Sequence, residues 1–113
     1  MTPSHAKGTR AESAVVSFFQ DQGRANVERR ALQGTRDRGD IAGFPKIVWE
    51  VKAGSRLEIP RWLGETEVER VNAAADFGFL IVKPKGIGDT RVGDWWNIAR
   101  LSDQFRLLEL AGY

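Results

Sequence analysis

The stretch from Gly39 to Lys52, GDIAGFPKIVWEVK, alternates through its second half. Ile47, Trp49 and Val51 fall on one face, and Val48, Glu50 and Lys52 fall on the other. Period-two alternation marks a half-buried strand, so residues 46–52 are expected to form one, with the Ile, Trp, Val face against a helix. Phe44 and Pro45 mark a turn, which makes 39–43 the preceding strand. Antiparallel pairing would then return Asp40 toward Glu50. Glu50 and Lys52 leave the same face, with Cα atoms about 6.6 Å apart at a strand's usual rise.

Working outward, KGTRAESAVVSFFQDQ (7–22) has helical spacing, with Val15, Val16, Phe18 and Phe19 on one side and Gly23 as its stop. NVERRAL (26–32) reads as a short strand and the residues after it as a polar loop. Pro60 can open a second helix through about Asp76, its apolar side formed by Val68, Val71 and Ala75. FLIVK (79–83) reads as a buried strand, and the Gly- and charge-rich 83–94 as a mobile loop or flap. A strand over 95–101 and a helix from Ser102 to Leu110 complete the chain. The order is helix, three strands, helix, strand, strand, helix: a single α/β domain with a mixed central sheet flanked by helices.

The chain has 113 residues, no cysteine, and one histidine, His5, near the N-terminus. Disulfides, thiolate zinc sites and histidine-based triads are therefore not expected. No continuous hydrophobic segment suggests a signal peptide or membrane span, so a cytoplasmic protein is expected. Net charge is only +2, but residues 1–46 hold eight Lys or Arg against five Asp or Glu, and the remainder nine against ten. The excess is concentrated in Arg24, Arg29, Arg30, Arg36 and Arg38, which could be a solvated face or a phosphate-binding track.

Asp40 and Glu50 on neighbouring strands would repel unless a cation lay between them, and hard oxygen ligands suit Mg²⁺ or Mn²⁺. A salt bridge between Glu50 and Lys52 would explain that pair alone and leave Asp40 unexplained. Glu12 shares a helical face with Val15, Val16 and Phe19, a costly place for a carboxylate unless it is paired or metal-linked. It could equally lie at the edge of the stripe and reach water or an arginine. Together, Glu12, Asp40, Glu50 and Lys52 could hydrolyse a phosphodiester, with carboxylates holding a divalent metal and the lysine orienting water or stabilising charge.

Glu12, Gly39-Asp40-Ile41 and Glu50-Val51-Lys52 in this order resemble the PD-(D/E)xK nuclease superfamily. More narrowly, KGTRAE, an ERRA-like strand, GDI and EVK look like the archaeal-type Holliday junction resolvases and their phage relatives, over most of the first 85 residues. The resemblance implies a restriction-endonuclease-like core: a helix, a three-stranded antiparallel sheet, a helix and a further strand. It implies Asp40 and Glu50 as direct Mg²⁺ ligands, Glu12 as a direct or water-mediated one, and Lys52 as the catalytic lysine. It further implies a homodimer cutting four-way DNA junctions, with Lys7, Arg10, Arg29, Arg30, Arg36 and Arg38 on phosphates. Thr35 would take the place of a hydroxyl residue common in relatives. The sequence departs from the motif name in carrying Gly39 before Asp40. It also has Glu65, Glu67 and Glu69 where many relatives offer a glutamine, for which an acidic outer helix face is the simpler explanation. Trp62, Trp95 and Trp96 could stack on unpaired bases, but a core or dimer-interface role is favoured. Lys83, Lys85 and Arg91 could form a basic flap over DNA, or simply be solvated.

Overall fold

The computed structural model describes residues 3–30 and 39–113, with the side chains of its first helix described from Gly8 onward. Its elements are α1 (Pro3–Asp21), β1 (Glu28–Arg29), β2 (Ile41–Ala42), β3 (Ile47–Ala53), α2 (Ile59–Asn72), β4 (Phe77–Lys83), a 3-10 turn (Asp89–Asp94), β5 (Trp96–Ile98) and α3 (Leu101–Leu110). They form a compact α/β unit. β3 pairs in parallel with β4, and β4 pairs antiparallel with β5, giving a mixed three-stranded sheet. A parallel pair needs a long crossover, which α2 supplies. β1 and β2 form a separate antiparallel ribbon. Among the described residues no helix is long and apolar enough to cross a membrane.

The expected alternation in β3 holds, and it assigns each face to a different helix. On one side Val51 joins Ala11, Val15 and Val16 of α1 in a buried cluster, and Trp49 packs its ring 5.1 Å from Phe19, 5.4 Å from Phe44 and 5.2 Å from Phe79. Each such aromatic pair contributes about 1 kcal/mol beyond area burial. On the other side Leu80 and Val82 of β4 pack on Trp62 of α2. Gly78 permits the approach, since a Cβ there would lie 3.1 Å from Thr66 Cγ2. Helix α1 ends where Gly23 takes φ 102°; the Gly23 and Arg24 N–H groups donate back to Gln20 and Phe19, closing a Schellman turn.

Three expectations need correction. Val68 and Val71 do not form the inner side of α2: they are 60% and 62% exposed, and the buried positions are Trp62, Thr66 and Glu69. The reason is packing. Residues 62, 66 and 69 form the helical stripe that meets the sheet, and Thr66 satisfies its hydroxyl on the Trp62 carbonyl at 2.8 Å. Residues 83–94 are not a free flap, because the 3-10 turn packs on α1, with Ile87 and Val92 against its core, and the Trp95 indole donates to the carbonyls of Ile87 and Gly88 at 3.2 Å. Lys83 and Arg91, candidates for a basic flap, pair with Asp89 and Asp94. Among the described residues the strands expected at 26–32 and 39–43 are shorter, Glu28–Arg29 and Ile41–Ala42; residues 31 and 32 lie outside the described residues.

Trp62 and Trp95 are buried, as a core role requires, and Trp96 is half-exposed. Helix α3 has no buried residue and leaves Leu101, Phe105 and Leu108 exposed at i, i+4, i+7 spacing.

Candidate active site

The geometry at β2 and β3 begins with Gly39. Its φ is 94°, and a Cβ there would lie 2.8 Å from Val48 Cγ1 and 3.1 Å from the Trp49 carbonyl oxygen. Only glycine fits both the torsion and the space. That close approach lets the Asp40 N–H donate to the Trp49 carbonyl at 2.9 Å, while Asp40 Oδ2 accepts from the Val51 N–H at 2.9 Å. Asp40 is thus held to β3 by backbone and side chain together. Gly39→Ala is expected to cost about 2 kcal/mol and to lower the melting temperature by roughly 10 °C. Loss of the Asp40 bond should also shift the Val51 amide resonance, and an unchanged melting curve would refute the steric argument.

Asp40 faces Glu50, and Glu50 faces Glu69 of α2. Burial, then the charge and hydrogen bond of Glu50, push the Asp40 carboxyl up to about 9, against the lowering effect of the Val51 N–H. Burial, then the hydrogen bond and charge of Glu69, raise Glu50 to a similar level, opposed by Asp40 and Lys52. Glu50 is only 5% exposed and its Oε2 has no hydrogen-bond partner. Lys52 Nζ lies 3.7 Å from Glu50 Oε1 and 3.0 Å from Glu65 Oε2. Burial draws its pKa down, but the Glu65 hydrogen bond and the charges of Glu50 and Glu65 outweigh this and leave it raised. Lys52 is therefore a cation at neutral pH, a state the sequence left open.

Asp40, Glu50 and Lys52 come together as the alternation implied; Glu12 does not join them directly. Its Oε2 pairs with Arg29 at 3.3 Å, the arginine-reaching alternative, and its charge adds the smallest of the effects raising Asp40. Glu69 is the member that sequence reasoning missed, and Glu65 the second. The acidic outer face expected of α2 fits neither, since Glu69 is 3% exposed and Glu65 holds Lys52. Glu67 alone of the three pairs outward, with Arg70 and Arg100. Of the basic residues, Arg10 and Arg30 are exposed and Arg29 is half-exposed beside Glu12. Thr35, Arg36 and Arg38 lie outside the described residues, as does the Lys7 side chain.

Among the described residues, no group of three or more histidine or acidic side chains is arranged to hold a metal ion. The Asp40–Glu50 pair nonetheless fits Mg²⁺, which keeps several waters and is commonly held by one or two carboxylates plus substrate phosphate rather than by an all-protein cage. Two buried, mutually repelling oxygen donors, one with a partnerless oxygen, are the arrangement a hard cation would relieve. No family model matches this chain, and no curated protein or solved structure matches it.

Proposed function

We propose that this chain is a Mg²⁺-dependent endodeoxyribonuclease with a restriction-endonuclease-like core, and specifically a Holliday junction resolvase that acts as a homodimer in a bacterial, archaeal or phage-infected cytoplasm. The observation that carries the reading is the meeting of Asp40 and Glu50, carboxyl to carboxyl, with the cationic Lys52 beside Glu50 on the same strand face. The order of elements from α1 to β4 is the order that the superfamily resemblance implies, although β1 and β2 form a ribbon apart from β3 and not the three-stranded antiparallel sheet that it also implies.

Asp40 and Glu50 would hold Mg²⁺, or Mn²⁺ in its place, and the ion when bound would neutralise phosphate charge and acidify a water. Asp40 is fixed by Val51, so its oxygen is preorganised on the strand. Lys52, kept cationic by Glu65, stabilises negative charge that develops on the phosphate, the role an ammonium fills without proton transfer. Glu12 pairs with Arg29 and in this reading would reach the metal through water. Symmetric resolution needs two cuts and the described residues hold one such site, so this reading calls for two copies. The exposed Leu101, Phe105 and Leu108 stripe of α3 supports self-association.

Incubation with labelled four-way junction and matched linear duplex, with and without Mg²⁺, tests the proposal. Paired, Mg²⁺-dependent cuts confined to the junction are expected. Equal cutting of both substrates would reduce the claim to a related nuclease acting on other DNA structures. Binding without any cleavage would leave a DNA-binding module.

A further inference from the structure

Beside the carboxylate site lies an open cleft of about 320 Å³, between the β2–β3 turn and the turn after α2. Arg30, Lys46, Asn26, Phe44 and Pro45 are among its lining residues, and no carboxylate is. At its rim the Arg24 guanidinium sits 4.2 Å above the Phe44 ring. Among the described residues no carboxylate lies within 4 Å of Arg24, Arg30 or Lys46, in contrast to Arg29, Lys52, Lys83 and Arg91. Arg30 and Lys46 on one concave surface, with no ion-pair partner among the described residues and Arg24 stacked on the lining residue Phe44, create a positive field that an anion would lower.

Backbone strain falls in the same place. Lys46 at φ 68° and Ala74 at φ 52° are the two non-glycine residues with positive φ among those described, and Lys46 Nζ donates to the Ala74 carbonyl at 3.4 Å. Each costs on the order of 1 kcal/mol relative to glycine, and strain of this kind concentrates at ligand clamps. A glycine at 46 would remove the strain and also the charge.

The cleft is joined to the carboxylates through the backbone. The Arg30 N–H donates to the Asp40 carbonyl at 2.8 Å, and Val48, which lines the cleft, shares its strand face with Glu50 two residues on. The cleft and the carboxylates are therefore neighbours along β2 and β3, so a polyanion seated in the cleft would lie next to the carboxylate site. We infer that the Arg30–Lys46 cleft is a phosphate subsite that holds a strand beside, and not at, the reacting phosphodiester. This deepens the nuclease reading and rests on it for the identification of the polyanion as DNA.

Fluorescence anisotropy in EDTA, with labelled four-way junction over a range of salt, separates binding from cleavage. Lys46→Gly and Arg30→Gln are each expected to raise Kd about 5- to 10-fold and to reduce the salt slope by about one. Lys46→Gly should melt no lower than wild type, because glycine adopts φ 68° freely, so weaker binding cannot be attributed to unfolding. Unchanged Kd and salt slope in both variants would overturn the inference. Weakened titration of inorganic phosphate with unaltered DNA binding would overturn the strand assignment by showing a site for the free anion. Weakened DNA binding in the variants, together with no cleavage by the wild type in Mg²⁺, would sustain the subsite and sink the nuclease.

Discussion

Asp40→Asn and Glu50→Gln are each expected to lower DNA cleavage on the order of 1,000-fold or more, yet to melt at a higher temperature than wild type in metal-free buffer near pH 8. The two halves have one cause. The wild-type pair buries two acids whose pKa values rise to about 9 through burial and mutual repulsion, so ionising them weakens the fold. An amide of the same shape removes the ionisable group, and the NH₂ of the introduced carboxamide can donate to the carboxylate that remains. The same substitution deletes the anionic oxygen that a divalent cation requires. Such opposition between stability and activity is characteristic of a functional site and is not expected of a structural pair. Lys52→Met should also lose cleavage but move stability the other way, because Glu50 and Glu65 lose the cation between them. Single-turnover cleavage and thermal melts on the same preparations check both halves. Wild-type cleavage by Asp40→Asn would remove Asp40 from the site, and a lower melting temperature would show that its carboxyl serves the fold.

The strand alternation in 46–52 was legible because a period of two has few alternative explanations, and it carried the positions of Trp49, Glu50, Val51 and Lys52 correctly. Asp40 was legible through the Phe44-Pro45 turn. Helix α2 was not: its aliphatic residues Val68 and Val71 point outward, and its inner stripe of Trp62, Thr66 and Glu69 hides an i, i+4, i+7 pattern behind two polar residues. Gly78 was the available clue, since a glycine in a buried strand signals close approach of another element. The 3-10 turn was misread because glycine and charge suggest mobility, whereas a single tryptophan, Trp95, supplies the anchor. Glu12 illustrates a different limit. Helical spacing placed it near the apolar face, but its choice between Arg29 and a metal depends on the tertiary position of β1, which no local pattern encodes.

Without divalent cations the protein is expected to be most stable near pH 5 and to weaken steadily toward pH 9. For Asp40 and Glu50 the folded-state pKa lies above the unfolded value, so between about 4 and 9 the folded state binds more protons than the unfolded one. Stability that is complete below the unfolded pKa is then lost as pH rises toward the folded pKa, on the order of 3 kcal/mol for a group as buried as Glu50 between pH 5 and 8. Glu67 acts in the opposite sense. Its hydrogen bond from Arg70 lowers its pKa, so its contribution is lost on acidification through and below the ordinary glutamate range and sets the lower edge of the optimum. Mg²⁺ should counter the alkaline loss, because it binds the ionised pair and competes with the protons. Its stabilisation should be small at pH 5 and reach about 1.4 kcal/mol at pH 8 when the ion is present at ten times its Kd. Urea melts at pH 5, 6.5 and 8, each with Mg²⁺ and with EDTA, read both effects. Glu50→Gln should reduce the pH slope, burial leaving Asp40 part of its own shift, and abolish the Mg²⁺ increment together, since Glu50 contributes to both. A Mg²⁺ increment that survives in Glu50→Gln would move the cation elsewhere on the molecule, and a pH-independent wild type would show that the carboxyls ionise without cost.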